Sequence, residues 1–244
     1  MENNELIYKR TRVVSSVFLD SEIKLGIAQI IMMIQDNLTE CFGLYNCDGV
    51  ILKQQGKFWV VHKTRVHFNK RPDWRTKINV ETFPVSNSGI RTNMNTVFTD
   101  EIGNVLITAN QECCVLDNEK HRPVKLSLLP FPKENYPAKQ FLYDFEKFEI
   151  DDSDYQVVYE QKIRSQSIDM SHHLNNTEYI KLALNVFDTS FLEEHKVCDL
   201  EAHYLEETQE GQTLVIAFAE KVGNYFIRIT ESNHLKFEMK ICFN

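Results

Sequence analysis

The chain has 244 residues, enough for one large domain or two small ones with a sizeable core. Its 43% hydrophobic and 25% charged residues suit a soluble globular protein, and a net charge of −8 argues against general nucleic-acid or membrane-surface binding. The six cysteines, at 41, 47, 113, 114, 198 and 242, form no CxxC pair and no even framework, so they read as reduced thiols of a cytosolic protein.

The opening "MENNELIYKR" lacks the apolar core and cleavage site of a signal peptide. A β-rich run, "YKRTRVVSSVFL", leads through a polar turn into a helix predicted over 22–44. Its most apolar part, Leu25–Ile34, has ten residues, whereas a membrane span needs about 20. That stretch is apolar nearly all round, so other elements must wrap it. "KINVETF" and "NVLITANQECCVL" alternate as half-buried antiparallel strands do. Four of the six prolines then fall between Pro123 and Pro137, which interrupts regular structure near mid-chain.

The second half repeats this order. "YQVVYEQKIR" precedes a polar turn, a helix predicted over 176–195, and the alternating runs "TLVIAFA", "YFIRIT" and "LKFEMKICF". An offset of 149 places Asp20 on Asp169, Leu25 on Leu174 and Ile31 on Ile180; an offset of 136 places "VHF" at 66–68 on "AHY" at 202–204. The shared order of elements predicts an α+β fold, a tandem (double) hotdog, each half an antiparallel sheet wrapped around one long helix. The expected parts are 1–128, a linker over 129–150, and 151–244. The alternative is a two-layer α+β protein of another topology.

The polar concentration lies in "DMSHHLNN". Asp169, Ser171 and His173 sit at i, i+2 and i+4, so an extended chain would point all three to one side, with His172 facing away. Asn175 and Glu178 make a capping-box pattern for the helix that follows, whose N-terminus favours developing negative charge. The plain reading is a capped helix with a polar lead-in. No metal site is expected, since His172 and His173 face apart with no further ligand spacing, and no GxSxG elbow supports a serine hydrolase. Opposite Ser171 and His173 in the first half stand Glu22 and Lys24, so the polar set belongs to one repeat. Downstream, Glu207 in "HYLEETQEGQ" is expected on a strand face with His203 and Leu205; its first-half counterpart is Arg71. A solvated strand end explains that segment equally well.

Together these motifs resemble the acyl-ACP thioesterase family, plant-type and bacterial, whose fold is a double hotdog. "DMSHHLNN" with "TEYI" is similar to the family's Asp-x-Asn-x-His-x-Asn-Asn run, and "HYLEE" to its Glu-Tyr-x-x-Glu segment. "FWVVHKTRV", "RPDW", "VETF", "SGIRTN" and "CVLDNEKHRPVKL" look like its first-half motifs, in order, so the resemblance runs from about Tyr8 to Val215. It implies Asp169, His173 and Glu207 as catalytic residues, with Ser171 and Asn175 in support. It also implies a water-based hydrolysis of fatty acyl-ACP without a cofactor. Ser171 stands where the family usually has Asn, and Thr208 where plant members carry a cysteine. By the same resemblance the acyl chain lies in the first half against Ile27, Ile30, Ile31 and Ile34. The acidic carrier protein is the expected partner, with Arg71, Arg75, Lys77, Lys120 and Arg122 as candidate docking contacts. Nucleic acid and membrane insertion are not expected, and a homodimer is left open. The competing functions are a hotdog hydratase or dehydratase and a non-catalytic acyl-thioester sensor.

Overall fold

Each half of the chain begins on an edge strand, passes through helix and returns in four antiparallel strands. The computed structural model describes residues 6–120, 122–134 and 144–244. Its two compact units are Met1–Asp144 and Phe145–Asn244. Residues 135–143 of the expected linker lie outside the described residues.

The first unit contains β1 (Tyr8–Val13), α1 (Ile27–Leu44), α2 (Gly49–Gln54), β2 (Lys57–Phe68), β3 (Lys77–Asn87), β4 (Arg91–Thr99), β5 (Val105–Asp117) and a two-residue β6 (Arg122–Pro123). Its strands run β1-β3-β4-β5-β2, with β6 beside β5. The second unit contains β7 (Gln156–Lys162), α3 (Asn176–Leu184), α4 (Thr189–Glu194), β8 (Val197–Tyr204), β9 (Thr213–Lys221), β10 (Asn224–Glu231) and β11 (His234–Phe243). Its order, β7-β9-β10-β11-β8, is the first order with every strand replaced by its repeat equivalent. Every pairing within the units is antiparallel. This is the α+β tandem hotdog.

Helix α1 forms the centre of its unit because its apolar residues recur on nearly every face. Ile27, Ile30, Ile31, Ile34, Leu38, Cys41 and Phe42 are all buried, each isoleucine contributing about 1.5–3 kcal/mol relative to exposure. Phe42 stacks on Trp59 at 3.9 Å, and the Trp59 indole N–H donates to the Cys47 carbonyl at 2.6 Å. Leu126, Leu129 and Phe131 join this cluster, so the first unit continues past the expected boundary at 128.

Both helices differ from expectation at their ends. Helix α1 starts at Ile27 rather than 22, because residues 20–24 are spent in a turn and Gly26 is extended at the N-cap. The predicted second helix is two helices: α3 stops at Leu184, and Asp188, also extended, precedes α4. The intervening Asn185 and Asp188 are helix-boundary residues. Helix α3 therefore buries only Thr177, Tyr179, Ile180 and Ala183 against its sheet. Among the described residues, no helix is long and apolar enough to cross a membrane.

Candidate active site

The loop ahead of α3 is shaped by one carboxylate. Asp169 Oδ1 accepts from the backbone N–H of Ser171 (2.8 Å) and of His173 (3.4 Å). The Asp169 N–H donates to the His173 carbonyl (2.8 Å), and the His172 N–H donates back to the Asp169 carbonyl (3.0 Å). His172 completes the reversal at φ +65°, the left-handed region, with its side chain exposed. The expected extended geometry is therefore wrong: Asp169–His173 is a tight turn. The reason is chemical, since an aspartate side chain readily bonds backbone N–H groups just ahead of it and bends the chain.

The turn sets His173 toward the segment after β8. His173 Nε2 lies 3.1 Å from Glu207 Oε2, with the histidine side chain 26% and the glutamate 57% exposed. The backbones are joined too, because the Leu174 N–H donates to the Thr208 carbonyl at 2.8 Å. Glu207 does not share a strand face with His203 and Leu205: β8 ends at Tyr204 and Glu207 stands in the following loop. A loop site frees its carboxylate from the sheet while leaving it open to water.

Asn175 caps α3, its side-chain oxygen accepting from the Thr177 N–H (2.9 Å) and hydroxyl (2.8 Å). The reciprocal half of the capping box is absent. Glu178 accepts instead from the Ser167 hydroxyl (3.3 Å) and from Lys181 (2.5 Å), and the Asn175 N–H donates to the Ser167 carbonyl (3.0 Å). Tyr179, four residues past the cap, sends its hydroxyl to Thr208 Oγ1 (2.7 Å) and the Glu206 carbonyl (3.3 Å). Periodicity marks Tyr179 as a core residue, and no sequence signal distinguished its hydroxyl from its ring.

The first unit carries the same turn with other chemistry. Asp20 Oδ1 accepts from the N–H groups of Glu22 (3.1 Å) and Lys24 (3.3 Å), and Ile23 takes φ +62°. The Leu25 N–H donates to the Pro72 carbonyl at 2.8 Å, the counterpart of the Leu174–Thr208 bond. Here, however, Arg71 pairs with Asp20 and Glu22, and Lys24 pairs with Glu22 at 2.7 Å. Arg71 is only 9% exposed, so its guanidinium is engaged inside the protein rather than offered to a partner. The other candidate docking cations are held locally: Arg75 lies over Trp74, Lys77 pairs with Glu101, and Lys120 pairs with Asp117, while Arg122 is exposed on β6. Ile27, Ile30, Ile31 and Ile34 all face the buried interior around α1.

A further cluster carries no signal in the sequence. His203 bridges Glu201 (2.7 Å) and Glu238 (2.8 Å) while Phe148 stacks on its ring at 4.4 Å. The Glu146 N–H donates to Glu201 at 2.8 Å and Lys240 pairs with Glu146 at 2.6 Å, so the cluster straps 146–148 to β8 and β11. Its members alternate with apolar residues along the strands, which hides them among ordinary outward-facing positions.

No cysteine is poised as a nucleophile. All six are free thiols, and burial pushes Cys41 and Cys47 up to about 12 and Cys114 and Cys242 up to about 11. Among the described residues no group of three or more His, Cys, Asp or Glu side chains is placed so that it could hold a metal ion.

Residues 5–127 match the family model of the acyl-ACP thioesterase N-terminal domain, and residues 150–243 that of the acyl-ACP thioesterase C-terminal domain. The chain belongs to the acyl-ACP thioesterase family. Within this family it is 24% identical to oleoyl-acyl carrier protein thioesterase 1, chloroplastic, of Arabidopsis thaliana, over 86% of this chain and 62% of that protein. It thus spans less than two thirds of that relative's length. Its fold is that of an acyl-ACP thioesterase from Bacteroides thetaiotaomicron (TM-score 0.87, 14% identity, 100% of both chains). It is also that of the 12:0-ACP thioesterase from Umbellularia californica (TM-score 0.82, 15% identity, 98% of this chain and 97% of that one). A putative oleoyl thioesterase from Lactobacillus plantarum is similar in the same way (TM-score 0.83, 16% identity).

Proposed function

We propose that this acyl-ACP thioesterase family member hydrolyses fatty acyl-ACP to free fatty acid and ACP by direct attack of water. The observation that carries the reading is the 3.1 Å contact between His173 Nε2 and Glu207 Oε2 beside the N-terminus of α3. Glu207, open to solvent, takes a proton from water as the oxygen adds to the thioester carbon, a contribution of typically 10²–10⁴-fold. His173, whose Nε2 lies 3.1 Å from Glu207 Oε2, holds the carboxylate, and the protonated Glu207 returns its proton to the departing thiolate. The new C–O bond thereby replaces the C–S bond, and the thiol leaves neutral.

The tetrahedral oxyanion needs a donor. At the start of α3 the Asn175, Thr177 and Glu178 N–H groups are bonded within the protein. The Asn176 N–H is the amide we assign to the oxyanion, aided by the helix dipole. Asn175 then acts by fixing the helix start, and Asp169 by fixing the turn that presents His173. Ser171, whose N–H Asp169 holds, is assigned to the side of the site that receives water or substrate. The first unit supplies the acyl-chain lining through Ile27, Ile30, Ile31 and Ile34. Acyl carrier protein is the partner, and the six free thiols support a reducing compartment such as the cytoplasm.

The test is thiol release from acyl-ACPs and acyl-CoAs with chains from C4 to C18. Hydrolysis of a subset, graded by about fourfold per carbon from roughly 0.8 kcal/mol per methylene, is the expected result. A dehydratase would consume hydroxyacyl thioesters without releasing thiol, and a sensor would bind acyl-ACP without turnover; either result replaces the proposal.

A further inference from the structure

We infer that Tyr179 is a positioning residue for Glu207, its hydroxyl clamping the loop that carries the general base to helix α3. The inference rests on the assignment of Glu207 above and names what holds that carboxylate in place.

Glu207 has no strand to fix it. It stands in a loop, 57% exposed, and a side chain so placed samples many rotamers unless its backbone is anchored. The anchors lie on both sides of it. The Tyr179 hydroxyl lies 3.3 Å from the Glu206 carbonyl before it and 2.7 Å from Thr208 Oγ1 after it, its one proton shared between the two acceptors. The Thr208 carbonyl in turn accepts from Leu174 N–H, next to His173. The two partners of the 3.1 Å contact are therefore tied to one helix: His173 through the turn that Asn175 closes, Glu207 through Tyr179.

The clamp is rigid because its parts are buried. Tyr179 is 3% and Thr208 0% exposed, and the Tyr179 ring stacks on Phe237 at 5.3 Å and meets Tyr204 edge-on at 6.1 Å. Burial, with the nearby Glu207 charge adding to it, pushes the tyrosine hydroxyl up to about 12, so it stays a hydrogen-bond donor at any working pH.

The repeat supplies an internal comparison. At the positions equivalent to Tyr179 and Thr208 the first unit has Ile30 and Pro72. Its turn is built from the same backbone bonds, including Leu25 N–H to the Pro72 carbonyl. Neither side chain there can hydrogen-bond, and the loop residue equivalent to Glu207, Arg71, is fixed by ion pairs instead. The hydroxyl clamp thus occurs where a solvent-open carboxylate must be held, and not where the fold alone must be.

Tyr179→Phe keeps the ring and its stack while removing the hydroxyl. On the acyl-ACP hydrolysed fastest in the C4–C18 panel, kcat should fall about 10- to 100-fold, the scale of a small misplacement of a reacting group. KM should stay within about twofold and the acid limb of the kcat–pH profile should shift, which a loss of stability alone would not produce. Thr208→Val should reproduce the loss, Thr208→Ser should retain the rate, and the double variant Tyr179→Phe/Thr208→Val should be no worse than either single one. Should Tyr179→Phe fail to fold, the two Thr208 variants decide. Glu207→Gln measured alongside separates the claims: if it keeps the wild-type rate, the base assignment falls and the clamp with it. An inactive Glu207→Gln beside a folded Tyr179→Phe with unchanged kcat and pH profile overturns the clamp alone.

Discussion

The turns at Asp20–Lys24 and Asp169–His173 share a backbone and differ in what it presents. Both are drawn together by an aspartate accepting from the N–H groups two and four residues on, and both take a left-handed residue at the fourth position, Ile23 or His172. The first fills its interior with Arg71, Asp20, Glu22 and Lys24, whose charges satisfy one another. The second leaves one solvent-open pair, His173 and Glu207. One architecture thus serves cohesion in one repeat and, in our proposal, chemistry in the other. The comparison teaches that the turn is a scaffold property, whereas reactivity depends on which side chains are left without a full set of internal partners.

Substitutions should separate the two roles. After Glu207 itself, the largest effect is expected at His173: His173→Ala should lower kcat by about 10²–10⁴-fold with little change in unfolding free energy, because the side chain is partly exposed. Undiminished thiol release would remove the histidine from the mechanism. Arg71→Met should do the reverse, costing about 3 kcal/mol in urea unfolding by stranding two carboxylates near a buried site, while the rate of the folded enzyme holds. A rate loss as large as that of His173→Ala would mean the first turn is not merely cohesive. Asp169→Ala should fall between, losing about 1–2 kcal/mol with its carboxylate hydrogen bonds and about tenfold in kcat as the turn relaxes. Asn175→Ala should be mildest, about 1 kcal/mol from loss of the α3 cap, read by chemical denaturation.

Much of the fold was legible from pattern. The apolar helix at Leu25–Ile34, the alternating strands and the repeated order of elements all reflect burial, which periodicity reports directly. Helix ends were less legible: Asn185 and Asp188 break the second helix, and a stretch with apolar Val186 and Phe187 between them masks the break. For the candidate site, spacing misled. The i, i+2, i+4 placement of Asp169, Ser171 and His173 assumed extended chain, but the aspartate's own side chain bends it. Glu207 is legible only through the family resemblance, since nothing local ties a loop glutamate to a histidine 34 residues earlier. The Tyr179 hydroxyl was invisible for a related reason: its partners on the 206–208 loop are set by tertiary contact.

The central claim is that the Glu207 carboxylate does chemistry while its first-unit counterpart, Arg71, does not. Glu207→Gln keeps the shape and a hydrogen-bond acceptor toward His173 but removes the base. Its rate of thiol release from acyl-ACP, measured at equal folded protein, is the most direct test. The account predicts near-complete loss of kcat with unfolding stability unchanged; a folded Glu207→Gln enzyme turning over at the wild-type rate would contradict it.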